Sequence, residues 1–384
     1  MQVDSLAGVI ETDIVIVGGG PAGCSAAFAL SGSGKKVLLI DKAVFPREKT
    51  CGDSIPGHAL VGLENFSPGI FDSFLQQLPS VSFLSSGLVF PDGTKVDFSW
   101  TLPGYVAERR IFDHFLLNRV IEKTDLDVIT GLKVTDYQRN DSLIHLLTQS
   151  VDGSRGRTIV ASLVIAADGA PSLAARKLAG ITPDPGIYGQ AVRCYFDQVD
   201  PLLLTGPLVF YHPRFFPGYF WLFPMEGNRV NAGFGMPEKQ RRKKGTSITD
   251  LFHQFRQKHP VVRQILGNAR QISDIHGGMV PFSIIKQTWS GPGFLLTGDA
   301  ASLVDPVSGD GIMLAVRSGL LAGLAAKNGK LSSYDEQIEK HIWNRMKTAR
   351  QAMNLVTRVP FLISVLAWLG KFGWFRNLIR KWIW

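Results

Sequence analysis

Residues 14–23 read Ile14-Val15-Ile16-Val17-Gly18-Gly19-Gly20-Pro21-Ala22-Gly23. The β-branched run Ile14 to Val17 suits a buried parallel strand. Gly18, Gly20 and Gly23 follow with G-x-G-x-x-G spacing, and Ala26-Ala27-Phe28-Ala29-Leu30 then suits a helix packed closely on that strand. A second apolar run, Val37-Leu38-Leu39-Ile40, ends in Asp41. Each of these residue types has a physical task. Gly18 permits the tight turn, Gly20 lets the backbone approach a pyrophosphate, and Gly23 lets helix and strand touch. The helix N-terminus turns free N–H groups and partial positive charge toward the phosphates. Asp41 is placed to accept hydrogen bonds from an adenosine ribose. Strand, turn, helix and terminal acid together predict a dinucleotide-binding unit rather than an unrelated glycine-rich turn.

At 384 residues the chain can bury a large core and hold two interleaved domains. The turn comes so early that the reading leaves no room for a signal peptide. Cys24, Cys51 and Cys194 are scattered and form no C-x-x-C. This predicts a reducing, cytoplasmic setting with no disulfide framework and no metal site. The net charge of +9 is unevenly spread. No acidic residue follows Glu339, and the nine cations from Lys340 to Lys381 equal the whole excess; the remainder balances 32 basic against 32 acidic residues. A neutral body argues against nucleic acid as a partner. A basic tail points to a local anionic partner, such as the inner surface of a membrane on which the protein would sit peripherally. In that tail Phe361, Val365, Trp368, Phe372, Phe375, Ile379 and Trp382 recur at steps of four and three, with Arg376, Arg380 and Lys381 opposite. The charge-free run from Val359 to Gly370 is shorter than the ~20 residues a bilayer span takes.

Working outward, Asp41 and Lys42 lead into the polar loop Phe45-Pro46-Arg47-Glu48-Lys49-Thr50-Cys51-Gly52-Asp53, ahead of a helix from Pro56. Pro79 to Trp100 reads as β-structure, and Arg109 and Arg110 precede an amphipathic helix carrying Phe112, Phe115, Leu116 and Val120. A buried strand, Leu163 to Ala167, ends in Asp168-Gly169, and a helix from Ser172 to Leu178 is closed by Gly180. Gln190 to Gly235 reads as antiparallel sheet. On a strand, Tyr219, Trp221 and Phe223 share one face, a flat aromatic wall suited to a long apolar ligand or to a sheet core. Arg241 to Lys244 reads as a solvated loop and Ile248 to Ile265 as one helix. Phe294 to Thr297 is a strand ending in Gly298-Asp299, and Asp305 to Gly311 leads into a helix from Ile312 to Ala326. The predicted fold class is α/β with α+β insertions. A Rossmann-like domain (1–78, 108–182, 275–330) interleaves with an antiparallel-sheet substrate domain (79–107, 183–274), plus a helical C-terminal segment (331–384).

The turn with Asp41, Arg109 ahead of Phe112-Asp113, Asp168-Gly169, and Gly298-Asp299 followed by Pro306 and Gly309-x-Gly311 resemble, in this order, the flavoproteins of p-hydroxybenzoate-hydroxylase-like fold. The likeness runs from residue 13 to about 326. It implies FAD as cofactor, with Asp299 on the ribityl chain and Asp168-Gly169 near the pyrophosphate. It also implies that the Ile312 helix N-terminus faces the flavin pyrimidine end, where a helix dipole favours the negative charge of reduced flavin. The implied cofactor set is Gly18, Gly20, Pro21, Ala22, Gly23, Asp41, Lys42, Arg47, Cys51, Gly52, Arg109, Asp168, Gly169, Gly298, Asp299, Pro306, Gly309, Gly311 and Ile312. No second G-x-G-x-x-G unit accompanies it, so electrons would come from NAD(P)H docking transiently or from a small electron-transfer protein.

Two shorter pieces, Arg47-x-x-x-Cys51-Gly52-Asp53 and Tyr219-x-Trp221-x-Phe223-Pro224, are similar to the geranylgeranyl reductase family within that group. By that resemblance the first lies beside the flavin and the second lines an isoprenoid tunnel, giving Tyr219, Trp221, Phe223 and Pro224 as substrate-binding residues. Met225 departs from the lysine often found there, which bears on the exact substrate. The implied reaction is hydride transfer from reduced flavin to a carbon–carbon double bond, with a proton delivered to the other carbon. Cys51 is the expected catalytic residue; Tyr219 and water are the other proton sources, and Asp53 would orient a water or cap the following helix. The alternative on the same fold is a monooxygenase acting on an apolar or aromatic substrate. The W-x-W-x-I-P form of flavin halogenases is absent, and the complete cofactor signatures argue against a non-catalytic flavin-bound protein.

Overall fold

In the computed structural model, which describes residues 8–358 except 155, 183, 187 and 283, the run around Ile16 is the middle strand of a parallel sheet. Val9–Val17 pairs in parallel with Val37–Asp41 on one side and Thr158–Ala166 on the other. Asp127–Thr130 continues the sheet beyond Asp41, and Phe294–Leu296 continues it beyond Ala166. Because Val17, Ile40, Ala166 and Leu296 are in register, the segments that leave these strands gather at one edge. Helix Pro21–Leu30 is buried along its whole length. It can be apolar all round because helix Ile312–Lys327 covers it at backbone distance. A Cβ on Gly319 would overlap the Ala22 carbonyl, and one on Gly323 would stand 2.6 Å from that of Ala26. This packing brings the N-terminal ends of both helices to the same edge of the sheet, Gly298 lying against Ala22 and Ala315.

The second sheet is mainly antiparallel and has nine strands among the described residues. Tyr219–Met225 lies between Leu208–Tyr211 and Arg229–Pro237, and the latter pairs with Tyr188–Asp197. Strand alternation divides this sheet cleanly. Phe220, Leu222, Phe234, Cys194 and Phe196 enter a core closed by helices Ile248–Lys258 and Pro260–Ile265, where Phe220 stacks on Phe252 and Phe255 at 5.2 and 5.3 Å. The opposite face carries the cross-strand rows Tyr219/Gly235/Ala191, Trp221/Gly233/Arg193 and Phe223/Asn231/Tyr195. Ser54–Ile55 pairs with Tyr105 and Val106 of this sheet, which ties the loop ending at Asp53 to it.

Two local expectations are corrected. Arg241 to Lys244 is not a loop but the end of helix Glu238–Lys244: Arg241 and Arg242 fold back onto Glu238 at 2.7 Å each, and Gly245 ends the helix with φ +63°. Ile248 to Ile265 is two helices, because Pro260 follows His259 and holds it extended. A further helix, Ile70–Gln77, buries Ile70 and Phe74. The tail stripe from Phe361 to Trp382 lies outside the described residues. Among the described residues no helix is long and apolar enough to cross a membrane.

Candidate active site

At the sheet edge the three glycines of the turn have different physical reasons. Gly18 has φ +111°, and a Cβ there would overlap the Ala167 carbonyl. A Cβ on Gly23 would overlap the Gly18 carbonyl. Both are required by packing. Gly20 is not: it is extended (φ −81°, ψ −174°), and a Cβ would meet only the end of Arg47 at 3.3 Å and Asp113 at 4.0 Å. Only side-chain ends, and no backbone, stand before Gly20, and Arg47 brings positive charge there, as a backbone that receives a phosphate requires. Gly169 (φ +78°) is more open, with nothing within 4 Å of a Cβ.

Asp41 accepts the Gly19 N–H at 2.7 Å and the Ala43 N–H at 2.8 Å, so its carboxylate braces the turn. The Arg47 guanidinium lies 3.0 Å from Asp113 and 4.0 Å from Asp41. Arg109, buried, makes a two-pronged pair with Asp113 at 2.7 and 2.8 Å. Burial works against its charge, and Asp113 together with Cys51 more than offsets that. Asp168 caps helix Leu173–Leu178, accepting from Ser172 at 2.6 Å and from the Leu173 and Ala174 N–H groups at 2.9 and 3.2 Å. Asp299 lies 3.4 Å from the Lys49 ammonium and borders Gly311. Pro21 takes the first position of its helix, Ile312 begins its own, and Pro306 is buried in the loop between. Lys42 is the exposed member of the implied set.

The Cys51-Gly52-Asp53 loop passes directly over the second sheet. A Cβ on Gly52 would stand 2.8 Å from the Phe223 ring and 3.4 Å from Trp221 Nε1. One on Gly309 (φ +71°) would stand 2.5 Å from the Tyr219 hydroxyl. The aromatic wall thus touches the Cys51–Asp53 loop at one end and the loop at Gly309 at the other. Tyr219, Trp221 and Phe223 follow one another at ring separations of 6.0 and 6.3 Å. Trp221 Nε1 donates to Asn231 Oδ1 at 2.9 Å, so the polar atom of the indole is turned into the protein.

Asp53 is fully buried and left-handed (φ +63°). It accepts from the Tyr195 hydroxyl and from Asn231 Nδ2 at 2.8 Å each. Its other oxygen accepts the Arg109 N–H at 3.1 Å, so it caps helix Arg109–Lys123 and not the helix that follows it. Burial pushes its pKa up to about 6, against the opposing pull of those donors and of Arg193. Cys51 is half-buried. Burial raises its thiol pKa and the Asp53 carboxylate adds to the rise, while Arg109 and the Asp53 N–H beside the sulfur pull the other way. Burial likewise raises Tyr219.

Asn231, Tyr195, Asp113 and Asp310 join this site without being among the residues implied by the sequence. Asp310 accepts the Met313 N–H at 3.2 Å with one oxygen, while the other is buried at the head of helix Ile312–Lys327 with no hydrogen-bond partner among the described residues. A legible signal existed for Asn231: it interrupts the apolar strand Val230-Asn231-Ala232-Gly233-Phe234 on the face shared with two glycines. An amide beside glycines is a poor core face.

With this geometry in view, residues 13–186 match the FAD dependent oxidoreductase family. The chain is 32% identical to the digeranylgeranylglycerophospholipid reductase of Methanococcus vannielii, over 87% of this chain and 82% of that one. It is 30% identical to the menaquinone reductase of Mycobacterium tuberculosis, over 84% and 77%. Its fold is similar to the crystal structure of a geranylgeranyl bacteriochlorophyll reductase-like protein from Thermoplasma acidophilum, with TM-score 0.80, 21% identity, and coverage of 94% and 92%. The chain therefore belongs to the geranylgeranyl reductase family of FAD-dependent oxidoreductases.

Proposed function

We propose that this oxidoreductase saturates carbon–carbon double bonds of an isoprenoid or another long apolar polyene lying along Tyr219, Trp221 and Phe223. The observation that carries this is the wall itself: a carbon-rich aromatic face with its indole N–H turned inward, set against the loop that bears Cys51. Pro224 follows Phe223 in the same strand, on the alternate face with Phe220 and Leu222. The names of two relatives, one for a digeranylgeranyl glycerophospholipid and one for menaquinone, support a prenylated substrate. Bound FAD, once reduced, supplies a hydride to a carbon centre.

The residues present fit that cofactor. The backbone at Gly20, the Ala22 and Gly23 N–H groups and the Arg47 charge would hold the pyrophosphate, with Asp168 and Gly169 nearby. Asp41 would meet the ribose and Asp299 the ribityl chain. The N-terminus of helix Ile312–Lys327, with the buried Asp310 oxygen, would meet the pyrimidine end. Cys51 holds the proton: burial keeps its thiol neutral, and Arg109 and the Asp53 N–H stabilise the thiolate left behind. NAD(P)H or a small electron-transfer protein supplies the electrons, and the basic tail holds the protein at the cytoplasmic face of a membrane.

The test is anaerobic incubation of the reduced holoenzyme with a panel of prenyl lipids, prenyl quinones and polyenes, read by mass. A gain of two hydrogens supports the reductase. Product containing a new oxygen, formed only in air, would instead assign the monooxygenase.

A further inference from the structure

We propose that Asn231 is a positioning residue that clamps the Trp221 indole to the Cys51–Asp53 loop, so that the apolar wall and the thiol are held as one unit. The inference rests on the substrate-wall reading above. Asn231 is wholly buried in the middle of strand Arg229–Pro237. Its amide has one acceptor and two N–H donors, and all are used. Oδ1 accepts from Trp221 Nε1 at 2.9 Å, while Nδ2 donates to the Cys51 carbonyl at 2.9 Å and to Asp53 at 2.8 Å. The amide cannot be flipped, because an indole only donates and a carbonyl or carboxylate only accepts.

Strand register explains why one side chain reaches so far. Asn231 is paired with Tyr195 on one neighbouring strand and Phe223 on the other. Tyr195 therefore reaches the same Asp53 oxygen, at 2.8 Å, and braces the clamp. The indole is held from a second direction. It lies flat on Gly233, where any Cβ would overlap it, and a Cβ on Gly235 would stand 3.7 Å away. A glycine shelf beneath and one anchored N–H at the edge leave the ring a single orientation. The loop is tied at its backbone carbonyl, two bonds from the atom that carries the thiol side chain. A shift in either partner is transmitted to the other, and misplacements of about 1 Å near the reacting atoms can cost ~100-fold in rate.

The test uses Asn231→Ala, Asn231→Asp, Trp221→Phe and the Asn231→Ala/Trp221→Phe pair in holoenzyme with confirmed FAD content. Asn231→Asp keeps the acceptor for Trp221 but loses both donors, to the Cys51 carbonyl and to Asp53, and so cuts the loop side of the clamp; Trp221→Phe cuts only the indole side and keeps the test decisive where an Asn231 variant does not fold. The first readout needs no substrate: the pH profile of Cys51 alkylation by iodoacetamide, with Cys51→Ala as blank, since Cys24 and Cys194 are buried. Both Asn231 variants should alkylate faster than wild type, and Trp221→Phe should fall between. The second readout is turnover. Asn231→Ala should lower kcat about tenfold or more with little change in KM, and the pair should be no slower than Asn231→Ala alone. Unchanged alkylation in Asn231→Asp, or effects of the two single changes that multiply in the pair, would overturn the clamp. If wild type reduces no polyene, the substrate reading fails, and the alkylation profiles still decide the clamp.

Discussion

Gly20→Val separates the folding and ligand-binding tasks of the glycine turn. Gly20 is extended, a conformation open to any residue, and a side chain there displaces only the flexible end of Arg47. It also sits at the N-cap of helix Pro21–Leu30, where exchange of glycine for an apolar residue and the gain from a stiffer unfolded chain roughly cancel. The apoprotein should therefore lose no more than about 1 kcal/mol, a shift of a few degrees in Tm. A phosphate seated on that backbone has to retreat by about one methyl group. Losing two charge-assisted hydrogen bonds of ~1.5 kcal/mol each weakens FAD by about 100-fold. The assay is flavin released per protein after gel filtration, together with melting of the stripped protein. Gly23→Ala is the contrast: its Cβ would overlap the Gly18 carbonyl, so it should fail as a fold rather than as a flavin site. Full flavin content in a well-folded Gly20→Val protein would refute the placement of the pyrophosphate.

Asp53 gives a pH signature. Its pKa rises from 3.8 unfolded to about 6 folded, so the folded state favours the proton. That contribution is complete below 3.8 and is lost as pH rises through about 6, a change of ~3 kcal/mol. The stability difference between Asp53→Asn and wild type, from urea unfolding across this range, should move by that much in favour of the variant as pH rises; a flat difference contradicts the burial argument. Cys51→Ala should keep FAD and lose about 100-fold in turnover, checked by steady-state kinetics; a wild-type rate would move proton delivery to Tyr219 or water. The full chain should float with anionic vesicles, less so in high salt, while a chain ending at Thr357 should not; equal flotation would exclude the tail as the membrane contact.

The dinucleotide turn is legible in the sequence because its chemistry is local: strand, glycines and helix are consecutive, and Gly18 and Gly23 each answer one packing demand. The aromatic wall was legible for the same reason, since period two alone puts Tyr219, Trp221 and Phe223 on one face. The polar clamp was not. Asp53 meets Tyr195 and Asn231 across 142 and 178 residues, and nothing short of the strand register brings them together. For Asp53 the sequence offers two roles, orienting a water or capping the helix beside it; its left-handed backbone turns it instead toward the Arg109 N–H, 56 residues away. The basic run Arg241 to Lys244 reads as a loop on charge density alone; Glu238 supplies the helical partner for two of its arginines. Both misses share a cause: a polar side chain is defined by its partner, and the partner is invisible until the backbone is placed.

The central claim is that hydride held by this protein goes to an alkene. A single anaerobic turnover tests it most directly: chemically reduced holoenzyme is mixed with a geranylgeranyl lipid, and the return of oxidised-flavin absorbance is followed while product is quenched for mass analysis. Flavin should reoxidise without oxygen, with one double bond saturated per flavin oxidised, and the return should be much slower in Cys51→Ala. Flavin that stays reduced until air is admitted, with a product that then carries new oxygen, would contradict it.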